Sequence, residues 1–440
     1  MAKYNQAIPR IVAVLGILCL SLTSVAFADG GSSESGGNWF SNLASSVKNS
    51  FSEISSADAG TKPRVRPHFS TSTGYLFDSQ LDTPKREGAW QARVAPGVAL
   101  SVPVGDKLYT EVDYTYGFST TQGEDNVHSN ASNHNINALA RYDVSKDTVV
   151  GVSNNIQWSE TPDKLNRTFM LETAQADVSH RVTDKLKGTA GYTFQYYDDP
   201  SKDNTTSKEQ DFSDNKFFTS LTYEVTEKLD LSPVFTWNNR SFRNVREKDF
   251  QQIQPGLAGT FRLGPKTTLG GNLGWALRDF DKGGSESELV YGASVGHTFG
   301  RKVTWAIGYQ KSLQDTFNTA FVNDADNPEA TNLDTFDGNF RVVKSHRIDT
   351  SLAYNVNEKN ALSAFLGAQF TNSDHEDNVI TGQKNDEKVL ETGMRYSYRI
   401  TRYLSFDIGY TFGRRFSAQN SPGRTEYTLN KISGGLNLNF

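Results

Sequence analysis

The sequence predicts an all-β protein: a transmembrane, antiparallel, up-and-down β-barrel of about 18 strands with a short N-terminal amphipathic helix. Three observations predict it. Segments of alternating apolar and polar residues recur along most of the chain. Short turns and long polar loops join them in alternation. One face of the alternation carries charges on nearly every segment, which a dry sandwich core cannot hold unpaired and a water-filled lumen can.

The bulk numbers agree. Only 36% of the 440 residues are hydrophobic and the mean hydropathy is -0.55, low for a packed core, while 12% are aromatic. No internal stretch approaches the ~18 apolar residues of a membrane helix. A formal net charge of -5 argues against a nucleic-acid partner.

Residues 1–28 read as a signal peptide. Lys3 and Arg10 are its positive region, Ile11 to Leu22 its apolar core and Ala26-Phe27-Ala28 its cleavage site, so that Asp29 begins the mature chain. The single cysteine, Cys19, lies inside this leader, which leaves the mature chain without disulfide or thiol chemistry. Leu18 before it is too large for a lipoprotein signal. Residues 29–66 read as a periplasmic extension. It opens with a Gly/Ser-rich stretch, Asp29 to Gly37, and closes with a linker, Ala57 to Pro67. Between them Trp39, Phe40, Leu43, Val47, Phe51 and Ile54 fall on one helical stripe, which predicts a helix over 39–55. Such a helix could dock on a periplasmic partner, lie on the inner leaflet or plug the barrel; the same stretch is also compatible with a weakly ordered tail.

Residues 67–440 read as the barrel. Eight tight turns recur every 35 to 45 residues apart from one interval of 57, at Gly105-Asp106-Lys107-Leu108, Ser145-Lys146-Asp147-Thr148, Thr183-Asp184-Lys185-Leu186, Thr226-Glu227-Lys228-Leu229, Gly264-Pro265-Lys266-Thr267, Gly300-Arg301-Lys302-Val303, Asn357-Glu358-Lys359-Asn360 and Thr401-Arg402-Tyr403-Leu404. Polar stretches between them, such as Gln122–Ser132, Asp198–Asp214, Asp315–Gly338, Ser373–Glu387 and Ser417–Arg424, are read as extracellular loops. Eight turns join sixteen strands. Pro67–Phe77 before them and Glu426–Phe440 after them bring the total to 18, an even number that puts both termini on the periplasmic side. The last segment alternates Ile432, Gly434, Leu436, Leu438 and Phe440 against Lys431, Ser433, Gly435, Asn437 and Asn439. An aromatic end in phase with the apolar face resembles the closing strand of bacterial outer-membrane barrels, and Phe440 is then the signal that the barrel-assembly machinery reads.

Alternation assigns the lumen twelve bases: Arg93, Arg141, Arg181, Lys187, Lys216, Arg240, Arg262, Arg278, Arg347, Arg395, Arg399 and Arg415. Nine acids share that face: Glu111, Asp113, Asp143, Asp177, Glu224, Asp230, Asp349, Glu391 and Asp407. The excess of guanidinium suits an anionic solute, since arginine grips carboxylate, phosphate or sulfate with two parallel hydrogen bonds. Equally, the arginines can pair with the acids and stiffen the wall. Trp90, Trp158, Trp237, Trp275 and Trp305 take the outward parity and read as an interfacial girdle.

Enzymatic chemistry is not predicted. His180 and His297 point outward, with Ser179 and Ser294 near them in sequence only, and the chain holds no catalytic motif. No cofactor or metal centre is expected; acidic loops such as Asp374-His375-Glu376-Asp377 read as solvated segments that meet lipopolysaccharide phosphates through divalent ions.

The start of the barrel carries a resemblance. Ser72, Gly74, Tyr75 and Asp78, followed by Arg93, Pro96, Gly97 and Leu100, form a pattern similar to the opening of the β-barrel porin 2 family, with Asp78-Ser79 where that family shows Asp-Asn. The resemblance covers the chain from about Pro67 onward. It implies a bacterial outer-membrane conduit for an exopolysaccharide, anionic by the lumen count, with a periplasmic polysaccharide-export partner. A porin for small solutes and a plugged barrel with a surface structural role are the other two expectations.

Overall fold

The computed structural model describes residues 63–80, 87–123, 128–161, 167–198, 211–243, 249–281, 284–314, 343–373, 385–417 and 427–440. The predicted signal peptide, the predicted extension up to residue 62 with its helix 39–55, and most of the predicted extracellular loops lie outside these residues. Eighteen strands run in chain order. They are β1 (Arg64–Gln80), β2 (Glu87–Val104), β3 (Leu108–Gly123), β4 (His128–Ser145), β5 (Thr148–Thr161), β6 (Arg167–Thr183), β7 (Leu186–Asp198), β8 (Phe212–Thr226) and β9 (Leu229–Phe242). The second half comprises β10 (Phe250–Gly264), β11 (Thr267–Phe280), β12 (Ser285–Phe299), β13 (Val303–Gln314), β14 (Val343–Asn355), β15 (Asn360–Ser373), β16 (Asn385–Arg399), β17 (Leu404–Ser417) and β18 (Tyr427–Asn439). Each strand pairs antiparallel with its chain neighbours, and β1 pairs with β18 from His68↔Asn439 to Gln80↔Tyr427. The sheet is therefore a closed barrel without edges.

All eight predicted turns fall between paired strands. The residue types explain most of them. Thr183 and Thr226 accept the amides of Lys185 and Lys228 through their hydroxyls, each at 3.3 Å. Thr401 accepts the amides of Tyr403 and Leu404, and Asn357 those of Lys359 and Asn360. A short side-chain oxygen thus replaces the backbone acceptor that a tight turn lacks. Each turn is then tied to the next strand pair. Lys107, Asp147, Lys185, Lys228, Lys266, Lys302, Lys359 and Tyr403 offer carbonyls to amides from Asp143 through Asn439, at 2.7 to 2.8 Å. The Phe440 amide donates to the Pro67 carbonyl at 3.3 Å, which continues the same stitching across the β1–β18 seam.

Several boundaries differ from the sequence reading: β4 begins at His128 and β16 at Asn385, each inside a predicted loop. β1 begins at Arg64, inside the predicted linker, because extended backbone admits Pro67 and Pro67 needs only its carbonyl there. β8 begins at Phe212, so Asp214 belongs to the wall and not to a loop.

The registers give the sheet two continuous faces. One carries Val98, Leu100, Val112, Tyr114, Leu257, Leu273, Trp275, Leu352, Ile408 and Leu436, all exposed. The other carries the charges. On that face the side chains of Arg240 and Asp214 are only 4% and 9% exposed. In a single-layer sheet, charged side chains this long sink so far only where neighbouring strands curve toward them, so the charged face is the concave one. The five tryptophans named above all lie on the convex, apolar face.

Candidate functional site

The concave face is built from alternate residues of every strand. Registers place Arg93, Glu111, Asp113, Arg141, Arg181, Lys187, Lys216, Arg240, Arg262, Arg278, Arg347, Arg395, Arg399 and Arg415 together on this face. Asp143, Asp177, Glu224, Asp230, Asp349, Glu391 and Asp407 share it. The bases meet acids. Arg141 reaches Asp143 at 3.1 Å, Arg240 reaches Asp214 at 2.9 Å, Arg347 reaches Asp349 at 2.7 Å and Arg395 reaches Asp407 at 2.7 Å. Arg262 pairs with Asp230. Pairing on this scale leaves the wall polar and locally balanced rather than a field of bare guanidinium groups.

Sequence reasoning missed two members at the turn end. Arg66 donates to Glu111 and Ser101 at 2.6 and 3.0 Å, and His68 Nε2 meets Asp113 at 3.0 Å. The signal was present, since Arg64, Arg66 and His68 alternate with Val65, Pro67 and Phe69; Arg66 fell in the predicted linker, and His68 lay in the predicted first strand without being assigned to the inner face. His68 has room only because it lies across from Gly97. A Cβ there would sit 2.1 Å from the imidazole and 2.7 Å from the Tyr114 carbonyl oxygen. Gly97→Ala is expected to displace His68 from Asp113 and to cost about 1–3 kcal/mol of barrel stability by overpacking, measured by urea unfolding in detergent.

The loop end of the wall is different on its two sides. Across β8 to β11 an alternating row of aromatic rings and guanidinium groups is packed. Arg240 stands 4.3 Å over the Phe212 ring and Arg278 stands 4.1 Å over the Phe250 ring. Arg278 also donates Nε and Nη2 to Gln252 at 2.9 and 2.7 Å. Cation–π contact and hydrogen bonds together keep these charges in place with little water.

β13 then leans onto this wall. By register Lys311 and Leu313 of β13 and Lys344 of β14 belong to the convex face. Yet Leu313 packs in one buried cluster with Phe250, Ala276, Phe280 and Val290, which are concave-facing. Lys344 meets Glu288 of the concave face at 3.1 Å, and Lys311 pairs with the same carboxylate. The pairing of β12 with β13 stops at Tyr291↔Lys311 while β12 continues to Ser285. The strands part there, and the end of the β13–β14 pair folds inward over β10 to β12. The side chains of Leu313, Lys311 and Lys344 thereby sit on the concave side of the wall at its loop end. Alternation alone cannot show it, because it assumes that each strand keeps its face to the end.

His180 and His297 lie on the convex face as predicted. Their Nδ1 atoms meet the hydroxyls of Thr148 and Thr267 at 2.8 and 2.7 Å, each directly opposite in register. Among the described residues no group of three His, Cys, Asp or Glu side chains could hold a metal ion.

No family model matches the chain, and no curated protein matches it. Among solved structures the barrel is similar to three from Pseudomonas aeruginosa. OccK5 (OpdH) shows 11% identity and a TM-score of 0.48 over 86% of this chain and 98% of that one. OpdQ shows 13% identity and a TM-score of 0.48 over 86% and 99%, and OpdL 16% and 0.46 over 87% and 99%.

Proposed function

We propose that this chain is a bacterial outer-membrane channel selective for small polar solutes. The observation that carries the reading is the closed 18-stranded barrel whose concave face is lined with paired charges and whose convex face is apolar. An apolar exterior over a polar interior suits lipid outside and water inside, and barrels of 16 to 18 strands leave a bore unless something fills it. Both termini would then face the periplasm, with the turns, and the loops would meet lipopolysaccharide.

The inward fold of β13–β14 favours small solutes over a polymer, because it brings the side chains of Leu313, Lys311 and Lys344 to the concave side at the loop end. Export of an exopolysaccharide and a periplasmic export partner rest on the family resemblance alone, and nothing in the geometry adds to them. An anion preference is likewise weakened, since the arginines that would carry it are shared with Asp214, Asp230, Asp349 and Asp407.

The test is reconstitution in planar bilayers and in liposomes. Stepwise conductance together with swelling in small sugars or amino acids supports the channel; a barrel that inserts and passes neither defeats it. Phe440 remains the proposed assembly signal, supported by its place at the closing seam and its ring 5.7 Å from that of Tyr403. Phe440→Ala is expected to lower the amount of heat-modifiable barrel in outer-membrane fractions severalfold, read by gel mobility.

A further inference from the structure

Among the described residues Phe365 is the only large apolar side chain that is both on the concave face and exposed, at 40%. Every other exposed large apolar side chain of the strands lies on the convex parity. A lone exposed ring on an ordinary surface needs no explanation. Here its surroundings are specific. Directly across the ladder is Gly393, where a Cβ would lie 2.5 Å from the ring, so the phenyl leans over Gly393 into space that any side chain there would fill. The next rows hold Gly367, Gly409 and Gly413, with Ser363 and Thr411, so the floor beside the ring is low except at Glu391, which stands between Gly367 and Gly413.

Two cations border this floor, each bonded to a carboxylate: Arg395, and Arg347, whose Nη2 would lie 3.8 Å from a Cβ at Gly367 and which pairs with Asp349. Arg395 is two residues from Gly393 on β16 and remains 59% exposed while bonded to Asp407. Asp407 also accepts from Ser397 and Asn437 at 2.7 and 2.6 Å, which fixes the pair in position. The site lies on β15 and β16, one strand beyond the β13–β14 pair.

We infer that Phe365 and Arg395 form a ring-binding subsite on the channel wall, and that its ligand is a neutral pyranose sugar. The face of a phenyl ring is electron-rich and attracts the slightly positive C–H face of a pyranose. The guanidinium–carboxylate pairs beside it, with Glu391, offer donors and acceptors to vicinal hydroxyls, and no bare cation is left there to select an anion. This deepens the channel reading and rests on it.

Titration calorimetry on the whole barrel in detergent would use maltose, with benzoate and tetramethylammonium as competing probes. Maltose is expected to bind, and Phe365→Ala to weaken it by about tenfold, the size of one lost stacking contact. Phe365→Trp should retain binding, and Arg395→Gln should weaken it while leaving the circular dichroism unchanged. Absence of maltose binding, an unchanged affinity in Phe365→Ala, or binding of benzoate or tetramethylammonium instead would overturn the subsite. Bilayer conductance of the same preparation separates the two readings. A conducting barrel that ignores sugars sinks the subsite alone, and a barrel that binds maltose without conducting sinks the channel.

Discussion

Arg240→Ala is expected to be the most destabilising single substitution in the wall. The substitution leaves Asp214, whose side chain is 9% exposed, as an uncompensated carboxylate. It also removes the guanidinium that stands over Phe212 at 4.3 Å and reaches Phe250 at 5.9 Å. Breaking a buried pair by deleting one partner costs about 3–5 kcal/mol, most of it the stranded charge. Equilibrium unfolding in urea should show the loss. The double variant Arg240→Ala with Asp214→Ala should recover part of it, because no charge is then left behind. A double variant no more stable than the single one would show that the ring contacts, not the pair, hold this end together.

Glu288→Ala is expected to have the largest effect on the bore. Its carboxylate is 14% exposed and is the anchor for both Lys311 and Lys344. Without it two ammonium groups are held close together on the inward-folded end of β13–β14. Repulsion and desolvation should lift that end from the cluster of Phe250, Ala276, Phe280 and Val290. The expected outcome is a higher single-channel conductance together with a stability loss of about 3 kcal/mol, the lower end for a broken buried pair. Glu288→Asp, which keeps the charge on a shorter arm, should fall between the two. An unchanged conductance would mean that the β13–β14 end does not set the width of the bore.

Both substitutions act on residues that were only partly legible in the sequence. Arg240 and Arg278 could be assigned to the inner face because β9 and β11 alternate cleanly around them. Asp214 could not, because it follows a long polar stretch and reads as loop until Phe212 is seen to pair with Phe242. Glu288 shares its strand with Ser285 and Glu286, which resemble the loop before them. Lys311 and Lys344 were hidden for another reason. Alternation puts them outside, and only the parting of β12 from β13 brings them to an inner carboxylate.

The barrel itself follows from local chemistry. Period-two alternation sets the faces, and Ser, Thr, Asn or Gly at the first position of each tight turn sets the hairpins. Hairpin register is fixed by the turn, so strand number and inward parity could be counted along the chain. What the tertiary structure decided is everything that depends on strands distant in sequence or on departures from ideal curvature. Arg66 finds Glu111, and Phe365 lies against the floor at Gly393, only once the pairing is known. Ion pairing across the wall and the inward fold at β13 turn a list of charges into a balanced inner wall. Alternation gives the side of the sheet that a residue takes. Its partners and its exposure are properties of the closed surface, which no single segment contains.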